Sequence, residues 1–355
     1  MSAEELLSGL AKSPDYFLHD IDFVNRRGLI VKLDEAVYRR ASFLDQRALK
    51  ADTRGAWFPL ETIYNHTQNL KPATLAHFVF HVSHCGSTLV SRLLAELPGC
   101  EPLREPLALL GLALQRRELD RPVSRLDGPT WDRLFGLVFA LLSRTYRPGE
   151  RVLVKATSAC TNLLVPMNQQ SPASRSLLMY TDLENWLTNM LRDEPVRENA
   201  RHYTASWLMD FHALTGRKDL RLTAMKEAEQ FALNWLAGML QFEHARREAP
   251  ERVRLCDFEV LLTDPVAELQ AIGQFLGYDA ARAPQAAAGP LMKSYAKNVD
   301  RPFDAEQRYR ELRESRRQNA EELRSGLQFA EKLCGEVAML ASVGTYLSRS
   351  NTKKE

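Results

Sequence analysis

The sequence of 355 residues lacks several features that would assign it to a class at once. It has no uninterrupted apolar run long enough to span a bilayer, since Leu134 to Leu142 is too short. Its 47 basic and 45 acidic residues leave a net charge of +2, so the overall balance indicates neither a nucleic-acid nor a membrane surface. Its five cysteines are scattered and form no CxxC pair, which indicates a reducing compartment and argues against a zinc site.

The amino terminus lacks the features of a signal peptide. Met1 to Lys12 contains Glu4 and Glu5 and is typical of a short amphipathic helix, whereas a signal peptide has a positively charged start and an apolar core. We therefore expect a soluble, cytoplasmic protein that binds no metal, no nucleic acid and no membrane. The oligomeric state stays open, a homodimer included.

The sequence does contain an alternation of short apolar runs with helical periodicity. Strands are predicted at Gly28 to Leu33, His77 to His81, Arg151 to Lys155, Ser176 to Tyr180, Leu220 to Met225 and Arg252 to Phe258. Helices are predicted at Asp34 to Leu49, Leu89 to Glu96, Trp131 to Ser143, Leu183 to Leu191, Glu229 to Glu248 and Val266 to Leu276. This order predicts an α/β fold, a three-layer P-loop-type parallel sheet flanked by helices.

The same patterns suggest a division of the chain into three parts. Residues 1–72 read as an N-terminal elaboration on the core, and residues 73–290 as a P-loop nucleotide-binding domain. Residues 291–355 read as a C-terminal helical segment and tail. We thus expect helical additions at both ends of the central domain.

The segment His81 to Leu89 is typical of a loop that holds a phosphate. Gly86 permits close approach of the backbone, Ser87 and Thr88 add hydroxyl donors, and the helix that follows directs its N-terminus at the anion. The Gly-Lys dipeptide of nucleoside triphosphatases is replaced by Gly86-Ser87, and no carboxylate for magnesium is evident. The alternative is that these residues merely cap a helix.

Three segments together resemble one family. Ser83-His-Cys-Gly-Ser-Thr88 is similar to the Pro-Lys-Ser-Gly-Thr-Thr loop of sulfotransferases, which use PAPS (3′-phosphoadenosine 5′-phosphosulfate). Leu153-Val-Lys155 resembles the strand of that family that carries a lysine near the active site. Phe258-Glu-Val-Leu-Leu-Thr-Asp-Pro265, followed by Phe275-Leu-Gly277, is similar to a later family segment. The resemblance runs from about His77 to Gly277 and implies a PAPS donor and a small-molecule acceptor.

The resemblance also implies which residues bind the donor. They are Ser83, His84, Cys85, Gly86, Ser87, Thr88, Leu89, Thr181, Asn189 and Lys297. His84 stands where the family has a loop Lys or Arg, and Thr181 and Asn189 stand where the family reads the 3′-phosphate. Because neither Thr181 nor Asn189 brings charge, a substitute is needed or the donor lacks a 3′-phosphate. The candidate substitutes are Arg175, Arg192, Lys293 and Lys297.

For catalysis the resemblance points to Glu105, His84 and Lys155. Glu105, in Leu103-Arg-Glu-Pro106, resembles the glutamate that removes the acceptor's proton; the alternative is an ion pair with Arg104 or another arginine. His84 and Lys155 would neutralise the leaving phosphate. Burial of an ammonium is costly unless an anion meets it, and the alternative anion for Lys155 is Asp182 or Glu259.

Other residues have simpler interpretations. His77, His81 and His84 suggest a metal site, but no carboxylate accompanies them, which favours satisfied core or loop histidines. Cys85 has no adjacent base and reads as a small loop residue. The stretch Arg308 to Arg324 mixes Arg and Glu at helical spacing, typical of a solvated helix face.

We therefore predict a sulfotransferase-like enzyme that moves a sulfuryl group from PAPS to a hydroxyl or amine. The alternatives are a small-molecule kinase or other nucleotide-dependent transferase, and a nucleotide-binding protein without catalysis. The acceptor pocket would lie among the first 70 or so residues, the region Leu107 to Asp132 and the C-terminal helices, none of which carries a recognisable motif.

Overall fold

A computed structural model describes residues 2–72, 74–295, 298–302 and 305–348 of the chain. Its strands, numbered in chain order, are β1 Tyr16–Asp22, β2 Arg27–Lys32, β3 Gly55–Pro59, β4 His77–His81, β5 Cys100–Arg104, β6 Arg151–Lys155, β7 Ser176–Tyr180, β8 Val253–Asp257, β9 Ser294–Tyr295 and β10 Asn298–Pro302. Five of them form a parallel sheet in the order β5-β6-β4-β7-β8. The predicted α/β fold with a central parallel sheet is thereby confirmed.

Both faces of this sheet are covered. All five residues of β4 and all five of β5 are buried. Successive side chains of a strand point to opposite faces, so burial of every residue requires packing on each side. On one side Phe78 stacks on Phe139, with ring centroids 5.7 Å apart. The middle of β4, Phe78-Val-Phe80, is apolar because neither face meets water.

The helices surround this sheet. They are α1 Ala3–Gly9, α2 Glu35–Arg40, α3 Leu60–Thr67, α4 Ser87–Ala95, α5 Leu107–Glu118, α6 Gly128–Leu142, α7 Leu164–Gln170, α8 Leu183–Met190, α9 Glu194–Thr215, α10 Glu227–Glu248, α11 Phe258–Thr263, α12 Pro265–Leu276, α13 Ala283–Ala288, α14 Ala305–Gln318 and α15 Ala320–Glu336. Helix α4 packs against β4, β5 and β6, and α10 packs between α9 and α15. Within the described ranges, no helix has the length and apolar character needed to cross a membrane.

Two of the predicted elements are wrong. The predicted strand Leu220 to Met225 is the partly exposed connection between α9 and α10, which pack side by side, and it contains the 3₁₀ turn Leu222–Ala224. The helix predicted from Asp34 to Leu49 is too long, because helix α2 ends at Arg40. Apolar spacing alone did not distinguish these segments from regular elements.

The N-terminal part contains more strand than the predicted helical addition. Strands β1, β2 and β3 form an antiparallel sheet of their own. Arg104, at the end of β5, joins this part to the core: its buried guanidinium donates to the carbonyls of Tyr38, Arg39 and Ala41 at 3.3, 3.2 and 2.9 Å. These carbonyls belong to the end of α2 and the residue after it. The guanidinium therefore satisfies backbone groups that the helix leaves open where it stops.

A second buried arginine gives a test of how the helices are held. The side chains of Arg117 on α5 and Asp210 on α9 are 3% and 5% exposed and pair at 2.7 Å. We expect Asp210→Ala to lower the free energy of unfolding by about 3–5 kcal/mol, because it leaves a buried guanidinium without its anion. Urea denaturation measures this loss.

The matched control is Glu61→Ala. It breaks the pair between Glu61 and Arg133, whose side chains are 68% and 52% exposed. An exposed pair contributes about 1 kcal/mol or less. Equal losses for Asp210→Ala and Glu61→Ala would contradict the assignment of the Arg117–Asp210 pair as a structural link.

Candidate active site

The loop between β4 and α4 has an unusual backbone. Ser83, His84 and Gly86 all have positive φ angles, of 66°, 46° and 72°. Left-handed backbone at residues other than glycine is uncommon and occurs where the surroundings enforce it, often at functional sites. Alternation of left- and right-handed residues turns successive N–H groups toward one side and forms a concavity suited to an anion.

Five consecutive N–H groups of this loop have no oxygen acceptor among the described residues. Within residues 2–72, 74–295, 298–302 and 305–348, the main-chain N–H groups of Cys85 through Leu89 donate to no oxygen atom. The first hydrogen bond of helix α4 begins one residue later, from the Val90 N–H to the Gly86 carbonyl at 3.1 Å. Open N–H groups at the start of a helix, together with the helix dipole, are a binding site for a negatively charged group.

Two side chains hold the loop in this shape. His81 accepts the Ser83 N–H on Nδ1 and donates from Nε2 to the Ala156 carbonyl, both at 3.0 Å, so its partners fix the neutral Nε2–H tautomer. Trp186 donates from its indole N–H to the carbonyls of Val82 and Ser83, at 2.9 and 3.0 Å. These contacts satisfy the carbonyl side of the loop and leave its N–H groups on the other side.

Phe258 contributes a third support. A Cβ atom on Gly86 would lie 2.0 Å from the Phe258 ring, so only glycine fits at this position. Phe258 begins α11, directly after β8. Arg308, on α14, lies over the same ring at 5.5 Å and forms an ion pair with Glu259. The C-terminal helix α14 therefore brings a guanidinium to the neighbourhood of the loop, although its sequence indicates a solvated face.

Cys85 and His77 have structural environments. Burial raises the pKa of the Cys85 thiol to about 12, and the thiol donates to the Met179 carbonyl at 3.3 Å. Burial also lowers the pKa of His77 to about 3, and its Nδ1 accepts the Arg175 N–H at 3.0 Å. A protonated thiol is a poor nucleophile and a buried neutral imidazole a satisfied core group, as the sequence interpretation held.

Glu105 and Lys155 lie side by side at the carboxyl edge of the sheet. Strands β5 and β6 are neighbours, with Arg104 opposite Lys155, and Glu105 follows directly. The Glu105 N–H donates to the Lys155 carbonyl at 2.6 Å, and the Lys155 ammonium donates to Glu105 Oε1. Glu105 has a φ of 55°, a conformation that costs about 1–2 kcal/mol outside glycine. The backbone and the side chain of Lys155 thus hold a strained glutamate in place.

This ion pair takes the place of the partners that the sequence offered as alternatives for both residues. The Lys155 side chain is 1% exposed and the Glu105 side chain 18%, so the carboxylate is the more accessible member. Arg104 points to the end of α2 instead, and Glu259 pairs with Arg308. The two candidate catalytic groups are therefore each other's partner. Each side chain thus has a counter-ion within the protein, and the catalytic roles of Glu105 and Lys155 stay predictions.

His84 lies near Asp193, the residue that caps the start of helix α9. Burial acts to raise the pKa of the Asp193 carboxyl, yet hydrogen bonds from Arg192 and the Val196 N–H, together with the nearby charge of His84, hold it below its usual value. Arg192 donates to Asp193 at 2.8 Å. His84 thus belongs to a mixed cluster of charges at the mouth of the loop.

The residues expected to read a 3′-phosphate lie in the structure as follows. Thr181 follows β7, and its buried hydroxyl has no partner among the described residues. Asn189, on α8, accepts a hydrogen bond from Arg192 at 3.3 Å. Of the candidate substitutes, Arg192 is thus placed beside one of the two positions. Arg175 is not, because it precedes β7 at the opposite edge of the sheet, where it lies over Phe275.

Of the two lysines suggested as substitutes, the structure describes Lys293 but not Lys297. Lys293 is exposed and ends the 3₁₀ turn Pro290–Lys293, which packs against α4. Lys297 lies outside the described residues, so its proposed contact with the nucleotide stays a prediction. No group of three or more His, Cys, Asp or Glu side chains suited to a metal ion occurs in the described ranges.

Comparison with known proteins gives matches in structure. No protein-family model matches the chain, and no curated protein matches it. Solved structures similar to the chain include the sulfotransferase domain from the curacin biosynthetic pathway, with 15% identity, a TM-score of 0.40 and coverage of 66% of this chain and 84% of that one. A sulfotransferase from Alicyclobacillus acidocaldarius has 13% identity, a TM-score of 0.34 and coverage of 74% and 96%. One from Mycobacterium avium has 13% identity, a TM-score of 0.37 and coverage of 89% and 96%.

The loop can be tested with Gly86→Ala. We expect this change to lower the free energy of unfolding by about 3 kcal/mol, because it adds a left-handed alanine and a clash with Phe258. Urea denaturation measures the change. Gly335→Ala is the matched control, since Gly335 is exposed in helix α15 with open space around it and should gain up to about 1 kcal/mol. An unchanged stability in Gly86→Ala would show that the loop is not built as described.

Proposed function

We propose that this protein is a sulfotransferase-like enzyme that transfers a sulfuryl group from PAPS to a hydroxyl or amine. One observation carries the proposal: the open N–H groups of Cys85 through Leu89 begin α4, beside the strand edge that presents the Glu105–Lys155 pair. An anion on the loop and an acceptor at Glu105 would lie at the same edge of the sheet. The segments that resemble sulfotransferases supply the reaction class.

The chemistry assigns separate roles to the two partners. As the acceptor oxygen bonds to sulfur, the bond from sulfur to the donor's phosphate oxygen breaks, and the Glu105 carboxylate takes the acceptor's proton. The phosphate gains negative charge, which the loop N–H groups stabilise without reorganisation. Lys155 lies at the end of β6, next to β4, where its ammonium can shift toward that charge once Glu105 is protonated. His84 adds a donor at the mouth of the loop.

The donor's 3′-phosphate needs a cation that the expected positions do not supply. Thr181 offers a buried hydroxyl without a partner, and Arg192 lies beside Asn189. Arg308, which lies over Phe258, is a second cation on the loop side. We assign the 3′-phosphate to this set. The uncharged side chains at the two expected positions favour the alternative, a nucleotide without a 3′-phosphate, as in a small-molecule kinase.

Calorimetry separates these possibilities. We expect 3′-phosphoadenosine 5′-phosphate to bind with a micromolar dissociation constant, and 5′-AMP to bind at least tenfold more weakly because it lacks the second phosphate. Neither should require magnesium. Equal affinities would exclude a 3′-phosphate site, magnesium-dependent ATP binding would favour the kinase, and absence of all binding at millimolar ligand would overturn the proposal.

Catalysis can be tested separately from binding with Glu105→Gln. This change removes the proton acceptor but preserves the shape of the side chain, so PAPS turnover should fall by about 10²–10⁴-fold. The affinity for 3′-phosphoadenosine 5′-phosphate should not fall, because the loop is untouched and the ammonium of Lys155 is no longer shared with a carboxylate. Glu61→Gln, on an exposed carboxylate far along the chain, is the control. Full activity in Glu105→Gln would remove Glu105 from the mechanism.

A further inference from the structure

A cavity of about 350 Å³ lies between the end of α2 and the irregular segment that follows it. Its walls mix aromatic, aliphatic and basic side chains and include no acidic residue. They are Val37, Arg40, Ala41, Ser42, Phe43, Arg47, Ala48 and Lys50. This volume is at the lower end of the range for small-molecule sites.

The cavity wall is fixed to the strand that precedes Glu105. The Leu44 N–H donates to the Arg104 carbonyl at 2.6 Å, and the Arg104 guanidinium donates back to the Ala41 carbonyl at 2.9 Å. Arg92, on α4, donates to the Ser42 hydroxyl at 2.8 Å. These three bonds hold the segment against the carboxyl end of β5 and against the helix that follows the loop. The cavity wall is therefore joined to the residue that precedes Glu105, although Glu105 itself does not line the cavity.

Electrostatics give the same placement. Hydrogen bonds to Asp45 are the main cause that raises the pKa of Arg47, and the charge of Glu105 contributes to the same shift. Arg47 thus lies within electrostatic reach of the Glu105 carboxylate. Its guanidinium is 3.7 Å from the centroid of the Phe43 ring and is held by Asp45 at 2.9 and 2.5 Å. It forms a fixed side of the cavity, and its charge is already balanced by Asp45.

Two other cations of the wall are not balanced. Arg40 and Lys50 are exposed, and in the described part of the chain their side chains form no hydrogen bond or ion pair. Long basic side chains that face solvent usually serve only solubility. Here both line one cavity, next to an aromatic ring, and the residues of the cavity wall include no carboxylate that could serve as their counter-ion. This arrangement is complementary to a ligand with an apolar body and a negative group.

We propose that this cavity binds the acceptor and selects acceptors that carry an anionic group, a carboxylate, phosphate or sulfate, in addition to the reacting hydroxyl. Arg40 and Lys50 hold the anion, Phe43 and Ala48 contact the apolar part, and the hydroxyl faces Glu105. The inference rests on the proposed function, since it takes Glu105 as the group that accepts the proton.

Matched phenols provide the test. Binding of 4-hydroxybenzoate and of 4-hydroxybenzamide to the protein saturated with 3′-phosphoadenosine 5′-phosphate is measured by calorimetry, and again without the nucleotide. We expect the anionic phenol to bind at least tenfold more tightly than its neutral amide. The preference should fall to less than about threefold in the double variant Arg40→Gln/Lys50→Gln. In the protein saturated with the nucleotide, whose phosphate occupies the loop, inorganic phosphate should compete with 4-hydroxybenzoate.

Arg54→Gln is the control variant. Arg54 is an exposed cation of the same irregular region but does not line the cavity, so its replacement should leave the preference unchanged. Equal or absent binding of the two phenols, or a preference that survives the double variant, would overturn the inference. Because these are binding measurements, failure of the proposed function has a different signature: the nucleotide fails to bind while the anionic phenol still does.

Discussion

The site depends on the loop between β4 and α4, where five consecutive N–H groups donate to no oxygen atom of the described residues. An unpaired buried N–H costs about 1–3 kcal/mol, so a chain left to itself would turn the groups of Cys85 through Leu89 toward nearby carbonyls. The structure prevents this by occupying the other side of the loop. Trp186 and His81 take its carbonyls and the Ser83 N–H, and the Phe258 ring fills the space behind Gly86. The open donors are thus maintained by side chains from the end of β4, from helix α8 and from the start of α11.

The parallel sheet explains why those groups meet. All five strands of the central sheet point the same way, so every segment that leaves a strand leaves at one edge. The loop follows β4, Glu105 follows β5, Lys155 ends β6, Thr181 follows β7 and Phe258 follows β8. These residues are distant in sequence, and it is the strand order that brings Glu105 and Lys155 into contact. The N-terminal segment joins the same edge through Arg104.

The sequence predicted the parts of this arrangement that depend on local pattern. The bounds of β4, β6 and β7 were predicted correctly, because each is a continuous apolar run between polar residues. Strand β5 was missed: Cys100-Glu-Pro-Leu-Arg104 contains a proline and two charged residues, and only its neighbours make it a strand. The link Leu220 to Met225 is the opposite case: its sequence pattern is strand-like, but it connects two helices that pack side by side.

The parts of the site that depend on strand order and on distant helices could not be predicted. The contact of Glu105 with Lys155 requires that β5 and β6 be adjacent, and no local pattern specifies that order. Likewise, Arg308 follows Gly86 by more than two hundred positions, and its helix has the charge pattern of a solvated surface. Phe258 was predicted as the last residue of a strand, whereas it begins α11 and packs behind Gly86.

The Glu105–Lys155 pair has one more consequence. Lys155 is the buried counter-ion of Glu105 and lies at the end of β6, next to the strand β4 that leads into the loop. In the proposed reaction, an anion on the loop would compete with the Glu105 carboxylate for this one ammonium. Occupancy of one half of the site would then change the affinity of the other half, and thermodynamic reciprocity requires the converse. The binding of donor and acceptor would thus be linked through one shared side chain, the ammonium of Lys155.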